Sequence, residues 1–136
     1  MNKDALIGLA ELLDGAGIGL WSLTAAYPSD AVGIVLGRLP LRPVAAIGLT
    51  PYRVAGAEPD SRAGIAAVQM RFRAAKMLDV LQMQTDVAGV LDFRGPTNLG
   101  GQHFAQIWCA VSTPPNQLGT DDLPELADTY YLRTDR

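Results

Sequence analysis

Ala66-Ala67-Val68-Gln69-Met70-Arg71-Phe72-Arg73-Ala74 has a period of two: Ala66, Val68, Met70, Phe72 and Ala74 alternate with Ala67, Gln69, Arg71 and Arg73. Successive strand side chains point to opposite faces, so the segment predicts a β-strand with one face on a core and the other on water or a partner. Beyond it the period changes. From Lys76 to Asp92, residues Met77, Leu78, Leu81, Val87, Ala88 and Leu91 follow helical spacing, and Gly95-Pro96 ends that helix.

Upstream, Val54 to Gly64 contains Gly, Pro, Asp and Ser and predicts a loop. Val44 to Tyr52 is apolar and partly β-branched, a buried strand ending at Pro51. Gly37 to Pro43 carries two prolines three apart, which a central strand does not accept, and predicts a projecting turn. Ala31–Leu36 is a candidate strand and Ile18–Leu23 is strand or loop, with Tyr27-Pro28-Ser29-Asp30 turning between them. Lys3 to Asp14 sets Leu6, Ile7, Leu9, Ala10 and Leu13 on one helix face, with Asn2 as its cap and Gly15 and Gly17 as a left-handed stop. Downstream of the second helix, His103 to Ser112 predicts an apolar strand closed by Pro114-Pro115, before Gln117 to Asp121. Asp128 to Arg133 predicts a last short strand. The order helix, strands, helix, strands, without repeats, predicts an α+β fold: one mixed or antiparallel sheet packed against two helices.

The 136 residues match the size of one domain, 1–136. Hydrophobic residues make up 49% and charged residues 18%, too apolar for disorder, and apolar runs are too short to span a bilayer. Asp4, Glu11 and Asp14 interrupt what would have to be the apolar core of a signal peptide, so no targeting segment is expected. One cysteine, Cys109, makes no internal disulfide and fits a reducing compartment. Fourteen acidic and eleven basic residues give a net charge of −3, which lacks the phosphate-neutralising surface of a duplex DNA binder. Nine of the basic residues are arginine, a planar donor fork used at protein interfaces and also a product of GC-rich coding.

Catalytic signals are sparse. Gly15-Ala16-Gly17-Ile18-Gly19 follows a helix, whereas a dinucleotide loop follows a strand and opens a helix, so it reads as a helix stop and linker. Neither Lys3 nor Lys76 follows a glycine-rich turn, as a Walker loop would require. His103 is the only histidine. Gly100-Gly101 beside it predicts a mobile loop in which it could serve as a base, or simply be solvated. Cys109 lies between Trp108 and Ala110 in an apolar strand, where a thiol packs as a small hydrophobe with a raised pKa. The carboxylates do not cluster beyond the turn-type pair Asp121-Asp122. No metal and no cofactor is expected.

Surfaces are better marked. Gln69, Arg71 and Arg73 project together and could pair with carboxylates of another chain, or remain solvated. Leu39 and Leu41 form an apolar tip between Arg38 and Arg42 that could insert into a neighbour or fold back on its own sheet. Both are candidate subunit interfaces.

In order and spacing over most of its length the chain resembles the tail terminator proteins of long-tailed bacteriophages, a family also labelled minor capsid or minor tail proteins. The resemblance is carried by the opening helix with Leu9, Leu12 and Leu13, and by the segment Pro40 to Tyr52 ending Leu49-Thr50-Pro51-Tyr52. It continues through Val68-Gln69-Met70-Arg71-Phe72-Arg73 and the helix after it, then Leu118-Gly119-Thr120-Asp121 and the closing Thr129-Tyr130-Tyr131-Leu132. It departs at Leu123-Pro124-Glu125 and Thr129, where relatives carry a Gly-Arg pair and an Asn. The resemblance implies a non-enzymatic virion protein at the head–tail junction, made in the host cytoplasm and acting by binding alone. Its copies would form an oligomeric ring, typically a hexamer, that caps the tail tube, ends its polymerisation and joins the tail to the head connector or stopper. Tube protein and connector would be its partners, genomic DNA would pass through without specific binding, and no membrane is involved. The chain's acidic balance agrees with DNA passage, because a pore that passes genomic DNA should repel phosphate. The alternative is a small α+β enzyme or ligand-binding domain using the loop around His103.

Overall fold

A computed structural model describes residues 1–24, 26–53, 64–113 and 123–134. The elements run α1 (Lys3–Gly15), β1 (Leu20–Trp21), β2 (Gly33–Leu36), β3 (Ala46–Arg53), β4 (Ile65–Arg73), α2 (Met77–Leu91), β5 (Thr97–Leu99), β6 (Gln102–Ser112) and β7 (Glu125–Thr134). All seven strands join one sheet in the order β1-β2-β3-β4-β7-β6-β5. The pairs β1–β2 and β2–β3 are parallel and the rest antiparallel, so the fold is α+β with a mixed sheet.

The alternation in β4 sets the two faces. Val68, Met70 and Phe72 are fully buried and lie in register with Pro51, Leu49 and Ile47 of β3 and with Tyr130, Asp128 and Leu126 of β7. That face packs under the two helices, where Leu6, Leu9 and Leu13 of α1 and Val80, Met83, Val87 and Leu91 of α2 complete the core. Each large apolar side chain so buried contributes about 1.5–3 kcal/mol. α1 begins as expected: Ala5 N–H donates to Asn2 Oδ1 at 2.8 Å. It ends with Gly17 at φ 78°, Gly17 N–H on the Asp14 carbonyl and Ile18 N–H on the Leu13 carbonyl, a Schellman motif.

Several expectations need correction. In α2 the inward stripe is Val80, Met83, Val87 and Leu91, while Leu78 is 78% exposed. Five of the seven residues from Met77 to Met83 are apolar, so more than one stripe fits the local pattern, and packing on the sheet selects among them. β3 runs through Pro51 to Arg53 rather than ending at the proline. β2 pairs only with Ala46 to Leu49, so beyond that point β3 has only β4 beside it and a missing N–H breaks no ladder there. The last strand spans ten residues rather than a short six and lies between β4 and β6. The short β5, unforeseen in the sequence, exists through its pairing with β6. The loop expected at Val54 to Gly64, described only at Gly64, the Pro114-Pro115 stop, the Gln117 to Asp121 segment with Leu118-Gly119-Thr120-Asp121, and the Asp121-Asp122 pair lie outside the described residues.

Candidate functional site

The sheet face away from the helices gathers the polar residues of β4. Thr50, Gln69 and Thr129 form one row across β3, β4 and β7, and Gly48, Arg71 and Ala127 form the next. Arg71 is exposed and Gln69 half-buried, as expected of a strand's outward positions. One row further, Tyr131 of β7 stands beside Ala67 of β4 and Trp108 of β6. The Trp108 and Tyr131 rings meet edge to face, with centroids 5.7 Å apart and planes at 73°. This pair escaped the sequence reading because Trp108 and Tyr131 lie 23 positions apart, on two successive strands whose pairing no local pattern reveals. Period two places Tyr131 on the outer face of β7, whereas in β6 the register shift between Phe104 and Gln106 turns Ile107 inward and Trp108 outward, and only the pairing makes the two rings neighbours.

Arg73 does not project with Gln69 and Arg71. Its Nε donates to the Val44 carbonyl at 2.8 Å, and its Nη2 donates to the carbonyls of Pro40 and Pro43. The guanidinium therefore ties down the 37–43 segment, which crosses the outer face between the parallel strands β2 and β3. Five donors in a planar fork allow one side chain to serve the carbonyls of both prolines and of Val44 after them. The two leucines of this segment part company. Leu39 is half-buried, its side chain over Gly48, as the fold-back alternative had it; Leu41 is 83% exposed, held out between exposed Arg38 and Arg42.

On the opposite, helix-bearing side a cleft of about 410 Å³ opens between α2 and the ends of the neighbouring strands. Val32, Val44 and Met83 give it apolar walls, and Asp30, Asp79 and Asp86, all exposed, stand around it. The sequence offered no sign of this grouping, since 56 residues separate Asp30 from Asp86.

The residues with chemical potential are placed for structure. His103 is exposed, with Nδ1 2.9 Å from Asn98 Oδ1, its register partner across the β5–β6 hairpin. The expected mobile loop beside it is a tight two-residue turn. Gly100 and Gly101 both have positive φ, 56° and 82°, as a type I′ turn requires, and Gly100 is wedged against the backbone of Asp4 and Ala5. Cys109 N–H donates to Asp92 Oδ1 at 2.8 Å. Burial, then the nearby Asp128 and Asp92 carboxylates, push its thiol up to about 11, the opposite of what a nucleophilic cysteine needs. Burial likewise pushes the Tyr130 phenol well above its ordinary range. Asp128 is buried and accepts hydrogen bonds from Ser112 Oγ at 2.6 Å and Gln84 Nε2 at 3.0 Å, which joins α2 to β6 and β7. Among the described residues no three His, Cys, Asp or Glu side chains group as a metal site would need.

No protein-family model matches the chain, and no curated protein does. Among solved structures the fold is similar to a chain of the structure described as "Virion of native gene transfer agent (GTA) particle", with a TM-score of 0.59 and 14% identity. The match covers 94% of this chain and 84% of that one, so what the two share is the whole fold.

Proposed function

We propose that this protein is a structural component of a phage-like virion, a tail terminator. Its copies form a ring, hexameric in the family it resembles, that sits on the finished tail tube, stops further addition and presents its other face to the head connector. The observation that carries this reading is the fold likeness to a chain of a virion particle over 94% of the length. The sequence resemblance agrees with it. The surfaces agree as well: an outer sheet face bearing Arg71, Gln69 and the Trp108–Tyr131 pair, and a projecting Leu41, offer places to bind a neighbouring protein. Arg and aromatic residues are the types enriched at protein interfaces.

The mechanism follows from symmetry. A helical tube grows because each added ring exposes the same face again, so termination needs a subunit that matches the tube on one side and does not reproduce that face on the other. The net charge of −3 suits a ring through which DNA passes without being held. The enzyme alternative finds no support around His103, whose ring has an asparagine for a neighbour and a rigid turn beside it.

The experiment is deletion and add-back. Particles made without this protein should carry tubes of irregular or excessive length that do not join filled heads, while tube protein and heads accumulate normally. Purified protein added to such an extract should restore joining. Normal tail length and normal joining in its absence would refute the reading, and a defect confined to capsid shape would move the protein elsewhere in the virion.

A further inference from the structure

The chain carries a basic apolar knob on one side of its sheet and an acidic apolar cleft on the other, and we propose that the knob of one copy docks in the cleft of the next. This rests on the reading of the protein as a ring subunit and names the contact that would build the ring. The knob is Leu41, 83% exposed, between exposed Arg38 and Arg42. Arg73 holds the carbonyls of Pro40, Pro43 and Val44 from beneath, so the tip is set before it meets a partner and little ordering cost remains. The cleft, about 410 Å³, has apolar walls of Val32, Val44 and Met83 and a rim of Asp30, Asp79 and Asp86. Lys76 at the start of α2 is close by in sequence and leaves the rim net acidic.

Shape and charge agree. An apolar side chain enters an apolar cleft while two guanidinium groups meet carboxylates at its edge, the arrangement of a buried anchor within a polar rim. A nucleic acid would be repelled by the same rim. Leu41 leaves its own cleft empty, because the 37–43 segment crosses the outer face of the sheet and α2 packs on the inner one. The contact therefore joins two different patches on two copies, a heterologous interface, which closes into a ring or propagates.

Sedimentation equilibrium of the full-length chain tests this, with circular dichroism to verify folding. Leu41→Asp should weaken self-association about thirty-fold or more, the scale of an anchor residue. Arg38→Glu with Arg42→Glu, and separately Asp30→Arg with Asp86→Arg, should each weaken it about ten-fold or more, and raised salt should weaken the wild type. Combining both reversals in one chain restores opposite charges across the contact and should recover association. Wild-type protein that stays monomeric at millimolar concentration, charge variants that associate like wild type, or a folded four-fold variant that stays dissociated would each overturn the proposal. A chain shown in this way to lack the contact, yet still restoring tail length in the extract, would leave the cap reading intact; a chain that associates through it without affecting tail length would do the reverse.

Discussion

Gly8 of α1 lies against Gly100 of the β5–β6 turn so closely that a Cβ on Gly8 would stand 2.6 Å from the Gly100 nitrogen. The two residues are 92 positions apart, and their missing side chains let the first helix seat directly on the backbone of a hairpin at the far edge of the sheet. The hairpin turn is thereby part of the packed structure.

Gly8→Ala should cost about 1–3 kcal/mol, the scale of overpacking a tight contact. Gly100→Ala should cost more, because its Cβ would meet the Asp4 backbone and its φ of 56° disfavours any side chain. Gly95→Ala, where a Cβ meets nothing, serves as the control and should change little. Urea unfolding of the three variants checks the order.

Arg71 and Arg73 share one strand face but should respond in opposite ways. Arg73→Ala removes charge-assisted bonds to three carbonyls and should destabilise the folded chain by about 1.5–3 kcal/mol, with the 37–43 segment becoming protease-sensitive. Arg71→Glu, at an exposed position, should stay within about 0.5 kcal/mol of wild type in thermal unfolding. If Arg71 meets a partner in the virion, the same substitution should impair joining in the extract assay. Equal destabilisation by the two would refute the division.

Cys109 should be a poor nucleophile in the folded protein and an ordinary one when unfolded. Its thiol, raised from 9.0 to about 11, stays protonated at neutral pH, so iodoacetamide should label it far more slowly in buffer than in urea. A raised folded pKa means the native state keeps a proton that the unfolded chain has lost. Its contribution to stability is therefore complete below pH 9 and falls away as pH rises toward 11. Thermal unfolding from pH 8 to 11 should decline more steeply for wild type than for Cys109→Ala. Parallel curves would contradict the placement.

Phe93 has φ 56° and is 80% exposed, so it bears a left-handed backbone cost without compensating burial. Phe93→Asn should leave stability unchanged or raise it by up to about 1 kcal/mol, because asparagine accepts this conformation more readily. A loss of more than 1 kcal/mol in urea unfolding would show that the ring packs after all.

The amino-acid sequence by itself determined whatever is written in local periods and local chemistry. The alternation from Ala66 to Ala74 marked β4 and its two faces. Asn2 and Gly17 marked the limits of α1, and the apolar setting of Cys109 marked an unreactive thiol. These depend on neighbours within a few residues, where side-chain direction repeats at 2.0 or 3.6. Tertiary structure decided the rest. It selected Val80 and Met83 over Leu78 for the inward face of α2, placed β7 beside β4, and paired Trp108 with Tyr131. It also turned Arg73 inward to three carbonyls while leaving Arg71 outside, and drew Asp30, Asp79 and Asp86 around one cleft. Each of these is set by a contact between residues distant in the chain, and a local period fixes which way a side chain points without fixing what it meets.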